Sequence, residues 1–216
     1  MKVIKNLVPA SKYNIKCPFT MTPEFIVVHN TANDATARAE IEYMIENNNE
    51  VSYHYAIDDK EIVQGLLENR NGWHAGDGGS GKGNRKGIGI EICYSKSGGS
   101  KFIAAEKLAA EFIASKLKEK GWGIDKVKKH QDFDGKYCPH RTLDMGWQRF
   151  LNMIEKHMEV EKVNDYTGHW AEKAIKEVIA KGVMVGSGNG KFRPNDKITR
   201  AEVAQVVSNL LKRLGE

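Results

Sequence analysis

Two periodicities alternate along this chain. Phe25-Ile26-Val27-Val28 is an unbroken apolar, β-rich run, the pattern of a strand buried on both faces, and His29 closes it. Residues 36–48 switch to helical spacing, with Ile41, Met44 and Ile45 on one face. Ser52 to Asp58 returns to alternation and passes through Asp58-Asp59-Lys60 into Glu61 to Leu66, which predicts a hairpin. Seven glycines in 71–87 predict a long surface loop. Ile88 to Cys93 reads as a further strand, with Glu91 on the face opposite Ile90 and Ile92.

A helix follows over about 104–120, carrying Leu108, Phe112, Ile113 and Leu117 and stopping at Gly121. Val127 to His130 is a short strand and Gln131 to Arg141 is irregular. Trp147, Phe150, Leu151, Ile154 and Met158 then step at helical spacing. Strands mixed with helices predict an α/β unit over 1–158, a central mixed sheet flanked by helices. Residues 159–165 form a polar linker, and 166–216 a small all-α helix–loop–helix unit. Its last helix opens on the capping box Thr199-Arg200-Ala201-Glu202. Val203, Val206, Val207, Leu210, Leu211 and Leu214 give that helix an apolar stripe expected to be buried.

With 216 residues, 40% of them hydrophobic, the chain can build one packed domain and a small second one. The net charge of +5 includes no Lys/Arg run or basic–aromatic interleaving, which argues against nucleic acid. No stretch is long and apolar enough for membrane insertion, and the N-terminus lacks the apolar segment of a secretory signal. Three cysteines, Cys17, Cys93 and Cys138, are too few for a disulfide framework and leave a thiol free to bind metal.

His29, His130 and Cys138 have the ligand types of a catalytic zinc, two imidazoles and a thiolate with a fourth position open. By residue type alone a second reading stands beside it: His29 as a satisfied core histidine, His130 as an exposed one and Cys138 as a small buried apolar residue. Four motifs in order bear on that choice. Val28-His29-Asn30-Thr31-Ala32, Ser52-Tyr53-His54-Tyr55, Gly89-Ile90-Glu91-Ile92-Cys93 and Lys136-Tyr137-Cys138-Pro139-His140 together resemble the type 2 N-acetylmuramoyl-L-alanine amidases of the prophage endolysin kind. These are phage-lysozyme-like enzymes that share a fold with peptidoglycan recognition proteins.

The resemblance spans roughly 1–158. It implies cleavage of the amide between N-acetylmuramic acid and L-alanine in bacterial peptidoglycan, with zinc held by His29, His130 and Cys138. It also implies catalytic roles for Glu91 and Lys136, and for Tyr53 as in some members. A recognition protein that binds without cutting is the alternative, and such relatives typically lack the cysteine present here as Cys138. Asn30, His54, Trp73 and His74 are candidate substrate contacts, Trp73 through stacking at the start of the glycine-rich loop or else as buried wall packing, and Asn30 alternatively by orienting the ligand beside it.

The C-terminal unit resembles one S-layer homology repeat through His169-Trp170-Ala171, Phe192-Arg193-Pro194 and Ile198-Thr199-Arg200-Ala201-Glu202. That resemblance implies binding to secondary cell-wall polysaccharide, with Arg200 as a candidate contact at a helix N-terminus. Such repeats normally come in threes, so this lone one implies assembly of several chains, weak binding, or a relic. The expected setting is a protein made in the cytoplasm and acting at the wall after release.

Overall fold

The computed structural model describes residues 1–158, 164–187 and 191–215, and the chain divides into two compact units, Met1–Met158 and Glu159–Glu216. Most of the expected linker 159–165 lies outside the described residues.

The first unit runs β1 (Val3–Lys5), α1 (Tyr13–Lys16), β2 (Phe25–Asn30), α2 (Ala37–Glu46), β3 (Tyr55–Ile57), β4 (Ile62–Gln64), α3 (Lys82–Lys86) and β5 (Gly87–Ile92). It continues with α4 (Gly99–Lys120), β6 (Val127–Lys129), α5 (Gln131–Asp134), α6 (His140–Asp144) and α7 (Trp147–Met158). The strands form one sheet in the order β1-β4-β3-β5-β2-β6. Every pairing is parallel except the β3–β4 hairpin.

The apolar run at 25–28 becomes β2, whose Ile26, Val27 and Val28 are fully buried between β5 and β6. Strands covered on both faces read as continuous apolar sequence rather than alternation. For the same reason β3 and β4 are buried at every position and shorter than the alternation at 52–66 suggests. α4 begins at Gly99, ahead of its expected start, because Phe102 and Ala105 are drawn fully into the core and carry the first turn with them. It ends as predicted, on Gly121 in the left-handed region at φ +66°. α7 packs along α4, where buried Glu106 meets Arg149 Nη2 at 2.8 and 2.7 Å.

The 71–87 segment is only in its middle the surface loop its glycines predict, with Gly76, Gly78, Gly79 and Ser80 exposed. Asn71, Gly72, His74, Ala75 and Asn84 are buried, and the segment ends in α3. Asp77 accepts from the Gly83 and Asn84 amides, while Asn84 Oδ1 accepts from the His74 and Ala75 amides, so side chains supply the partners that a sheet would otherwise provide.

In the second unit, α8 (Glu172–Ala180) and α9 (Arg200–Leu214) flank a loop. Asp165 accepts from the Phe192 and Arg193 amides at 2.7 Å each, and the Thr199–Glu202 capping box forms as predicted. The stripe on α9 is not buried: Val203, Val207, Leu210, Leu211 and Leu214 are all exposed. A unit this small lacks the surface to cover a fifteen-residue helix along its length. Among the described residues no helix is long and apolar enough to cross a membrane.

Candidate metal centre and catalytic groove

Three neighbouring parallel strands end at one edge of the sheet, the position where open α/β sheets place their sites. His29 in β2 is the register partner of Glu91 in β5. Val28 pairs with Lys129 of β6, so His130 falls one residue beyond that strand, its amide donating to the Val28 carbonyl at 3.3 Å. The short α5 then turns at Gly135, which adopts φ +82°, and brings Cys138 back. The Gln131 amide donates to the Cys138 carbonyl at 3.0 Å and closes this loop.

His29, His130 and Cys138 thus converge from two strand ends and a loop. One donor atom from each lies within 4.8 Å of the others, and all three residues are buried. His29 Nδ1 is 3.1 Å from His130 Nδ1 and 4.0 Å from Cys138 Sγ. Burial, then the neighbouring His74 and His130, hold His29 well below its usual pKa. Burial lowers His130 as well, although Asp134, 3.1 Å from its Nε2, pulls the other way. Both rings are therefore neutral at physiological pH and offer lone pairs. Burial and then the charge of Glu91 push the Cys138 thiol up to about 12, so a thiolate there requires a cation beside it. Two nitrogens and one sulfur converging from buried side chains are a donor set that fits a catalytic zinc.

Beside this cluster lies a groove of about 590 Å³, lined among others by Thr31, Glu40, Tyr43, Tyr53 and Glu91. Glu91 Oε2 and Thr31 Oγ1 are buried without a protein partner. A buried polar atom left bare next to a cavity is what a substrate or water would satisfy. Burial, then the Glu40 carboxylate, push Glu91 up to about 8, and Lys136 pulls it back down. Lys136 is itself exposed on the α5–α6 loop, and its charge is felt by Glu91, His29, His130 and Cys138. Burial and then the charges of Glu91 and Glu40 raise Tyr53 well above its usual pKa. Its hydroxyl lies 3.1 and 3.2 Å from the carbonyl and Oε2 of Glu40.

Four expected substrate contacts face the protein instead. His54 is fully buried; its Nδ1 accepts from the Gly89 amide and its Nε2 meets the Arg70 carbonyl, so it braces β5. Trp73 is half-buried; it donates from Nε1 to the Ile15 carbonyl and packs edge-on against Phe19, so the protein itself holds the ring. His74 is buried behind His29, Nδ1 to Nε2 at 3.0 Å. Asn30 is buried too: its Oδ1 accepts from the Arg141 and Thr142 amides at 3.0 and 3.2 Å, so it caps α6 from 111 or more positions away. Arg200, at the first turn of α9, is exposed in the second unit. Nothing in the spacing of Glu40 marks it as a groove residue, and Thr31 stands in the first motif without any sign of its bare hydroxyl. Asp134 could have been found, four residues after His130.

Residues 19–141 match the family described as N-acetylmuramoyl-L-alanine amidase, and 164–204 match the S-layer homology domain. The chain is 48% identical over 217 residues to N-acetylmuramoyl-L-alanine amidase CwlA of Bacillus subtilis (strain 168), covering 99% of this chain and 80% of that one. It is 60% identical over 157 residues to N-acetylmuramoyl-L-alanine amidase XlyB of the same organism, a match covering 72% of this chain and half of that protein. The solved structure of PlyL superposes with a TM-score of 0.69 at 50% identity, over 71% of this chain and 97% of that one.

Proposed function

The chain belongs to the N-acetylmuramoyl-L-alanine amidase family, and from that premise we propose that it cuts the N-acetylmuramic acid–L-alanine amide of bacterial peptidoglycan with a zinc held by His29, His130 and Cys138. The convergence of those three buried donors beside a groove with a bare carboxylate is the observation that carries this reading.

Zinc bound there supplies a Lewis acid for the scissile carbonyl and an acidified water. Glu91 takes a proton from the attacking water and returns it to the leaving amine. Its raised pKa suits both halves of that task, because a group poised near neutrality can accept and then donate. The Lys136 ammonium offsets charge that develops on the carbonyl oxygen. Tyr53, anchored on Glu40, forms part of the groove wall that orients the stem peptide. The S-layer homology unit tethers the enzyme to cell-wall polysaccharide, with exposed Arg200 available to an anionic sugar.

Purified peptidoglycan incubated with the protein should release new amino groups without reducing sugars. The signal should vanish with chelator and return with zinc. Undiminished activity in Cys138→Ala or His130→Ala would overturn the assignment.

A further inference from the structure

A carbonyl oxygen can only accept a hydrogen bond, and one carbonyl fixes the protons of two buried histidines. His74 Nε2 lies 3.3 Å from the Gly87 carbonyl, so the ring carries its proton on Nε2 and leaves Nδ1 as an acceptor. His29 Nε2 meets that Nδ1 at 3.0 Å and must therefore be the donor. The lone pair of His29 is left on Nδ1, the atom that faces His130 Nδ1 and Cys138 Sγ. On the other side, His130 Nε2 meets the Asp134 carboxylate, which likewise leaves the His130 lone pair on Nδ1.

We propose that His74 is a positioning residue for the metal centre: anchored on the Gly87 carbonyl, it fixes the tautomer and ring orientation of His29 so that Nδ1 is presented to the ion. The inference rests on the zinc reading above. It is supported independently by the space made for the ring. A Cβ on Gly89, in the middle of β5, would lie 2.7 to 2.9 Å from His74 Cδ2, Cγ and Nε2, and one on Gly72 would lie 2.8 Å from its Cδ2. Two glycines on separate segments thus leave the volume the imidazole fills, and Trp73 and Ala75 on either side do not share its role. Partners behind a ligating histidine set its orientation and its basicity toward the metal.

The test separates tautomer from activity. Nitrogen-15 NMR of the metal-free protein should show His74 protonated on Nε2 and not on Nδ1. His74→Leu should weaken zinc binding roughly 10- to 100-fold in a chelator competition, the usual cost of losing such a partner. His74→Gln, whose amide can present an acceptor to His29 and a donor to Gly87, should recover most of that loss. Gly89→Ala, which displaces the ring without removing it, should weaken binding in the same direction as His74→Leu. A His74 proton on Nδ1, or zinc affinity in folded His74→Leu equal to the unaltered protein's, would overturn the proposal. Failure of the unaltered protein to bind zinc would overturn the zinc reading instead, and the NMR result would still decide the proton's position.

Discussion

Replacing Asn30 with alanine isolates the link between the end of β2 and the segment that carries Cys138. α6 has no side-chain cap of its own, since its N-cap residue is Pro139. Asn30 Oδ1 takes the amides of Arg141 and Thr142, the second and third residues of that helix, and Nδ2 donates to the His29 carbonyl at 3.1 Å. Alanine leaves two amides without their acceptor, the Thr142 bond being buried and the Arg141 bond partly so. Each stranded buried donor costs about 1–3 kcal/mol, and loss of a cap in general about 1 kcal/mol. Water entering the vacated space recovers part of this, so the net loss should be about 2–4 kcal/mol. For a unit of this size each kcal/mol lowers Tm by about 2–4 °C, which gives a fall of roughly 4–16 °C. Calorimetry in chelator, on the first unit's transition, reads the effect without a contribution from metal. Asn30→Asp keeps the acceptor and adds favourable charge at the helix N-terminus but loses the donor to His29, so it should fall between alanine and the unaltered protein. An Asn30→Ala protein within about 0.5 kcal/mol of the original would refute the capping argument.

Three further outcomes follow from the same geometry. Glu91→Gln should lower kcat by about 10²–10⁴-fold with zinc stoichiometry and Tm undiminished, measured by amine release beside metal analysis; a loss under about threefold would remove Glu91 from proton transfer. Arg149→Met strands buried Glu106 and should cost about 3–5 kcal/mol in urea unfolding, whereas Glu106→Leu/Arg149→Met should recover most of it; equal single and double variants would contradict the pairing. Lys16 is buried, bonded to Asn47 Oδ1 and the Val51 carbonyl, and burial with nearby Lys12 lowers its pKa to about 8. Between about pH 8 and 10 the unfolded chain therefore binds more protons at this site than the folded one, so stability relative to Lys16→Met should rise with pH; urea midpoints that track each other from pH 7.5 to 9.5 would count against it.

Local order in the sequence determined much of this molecule. The apolar run at 25–28 set β2, Gly121 ended α4, and the Thr199–Glu202 box opened α9, because each signal acts within a few residues of itself. The metal-ligand set came from four motifs in register rather than from spacing, since His29 and His130 stand 101 positions apart. Only the tertiary structure decided the roles of Asn30, His54, Trp73 and His74. Each has the polarity of a substrate contact, yet each spends it inside the protein, on a helix end, a strand amide, a carbonyl or another imidazole. The stripe on α9 shows the converse, because helical periodicity specifies which face is apolar but not whether anything covers it. Burial and hydrogen-bond direction depend on what folding brings next to a residue, and neighbours tens of positions away leave no trace in the local pattern.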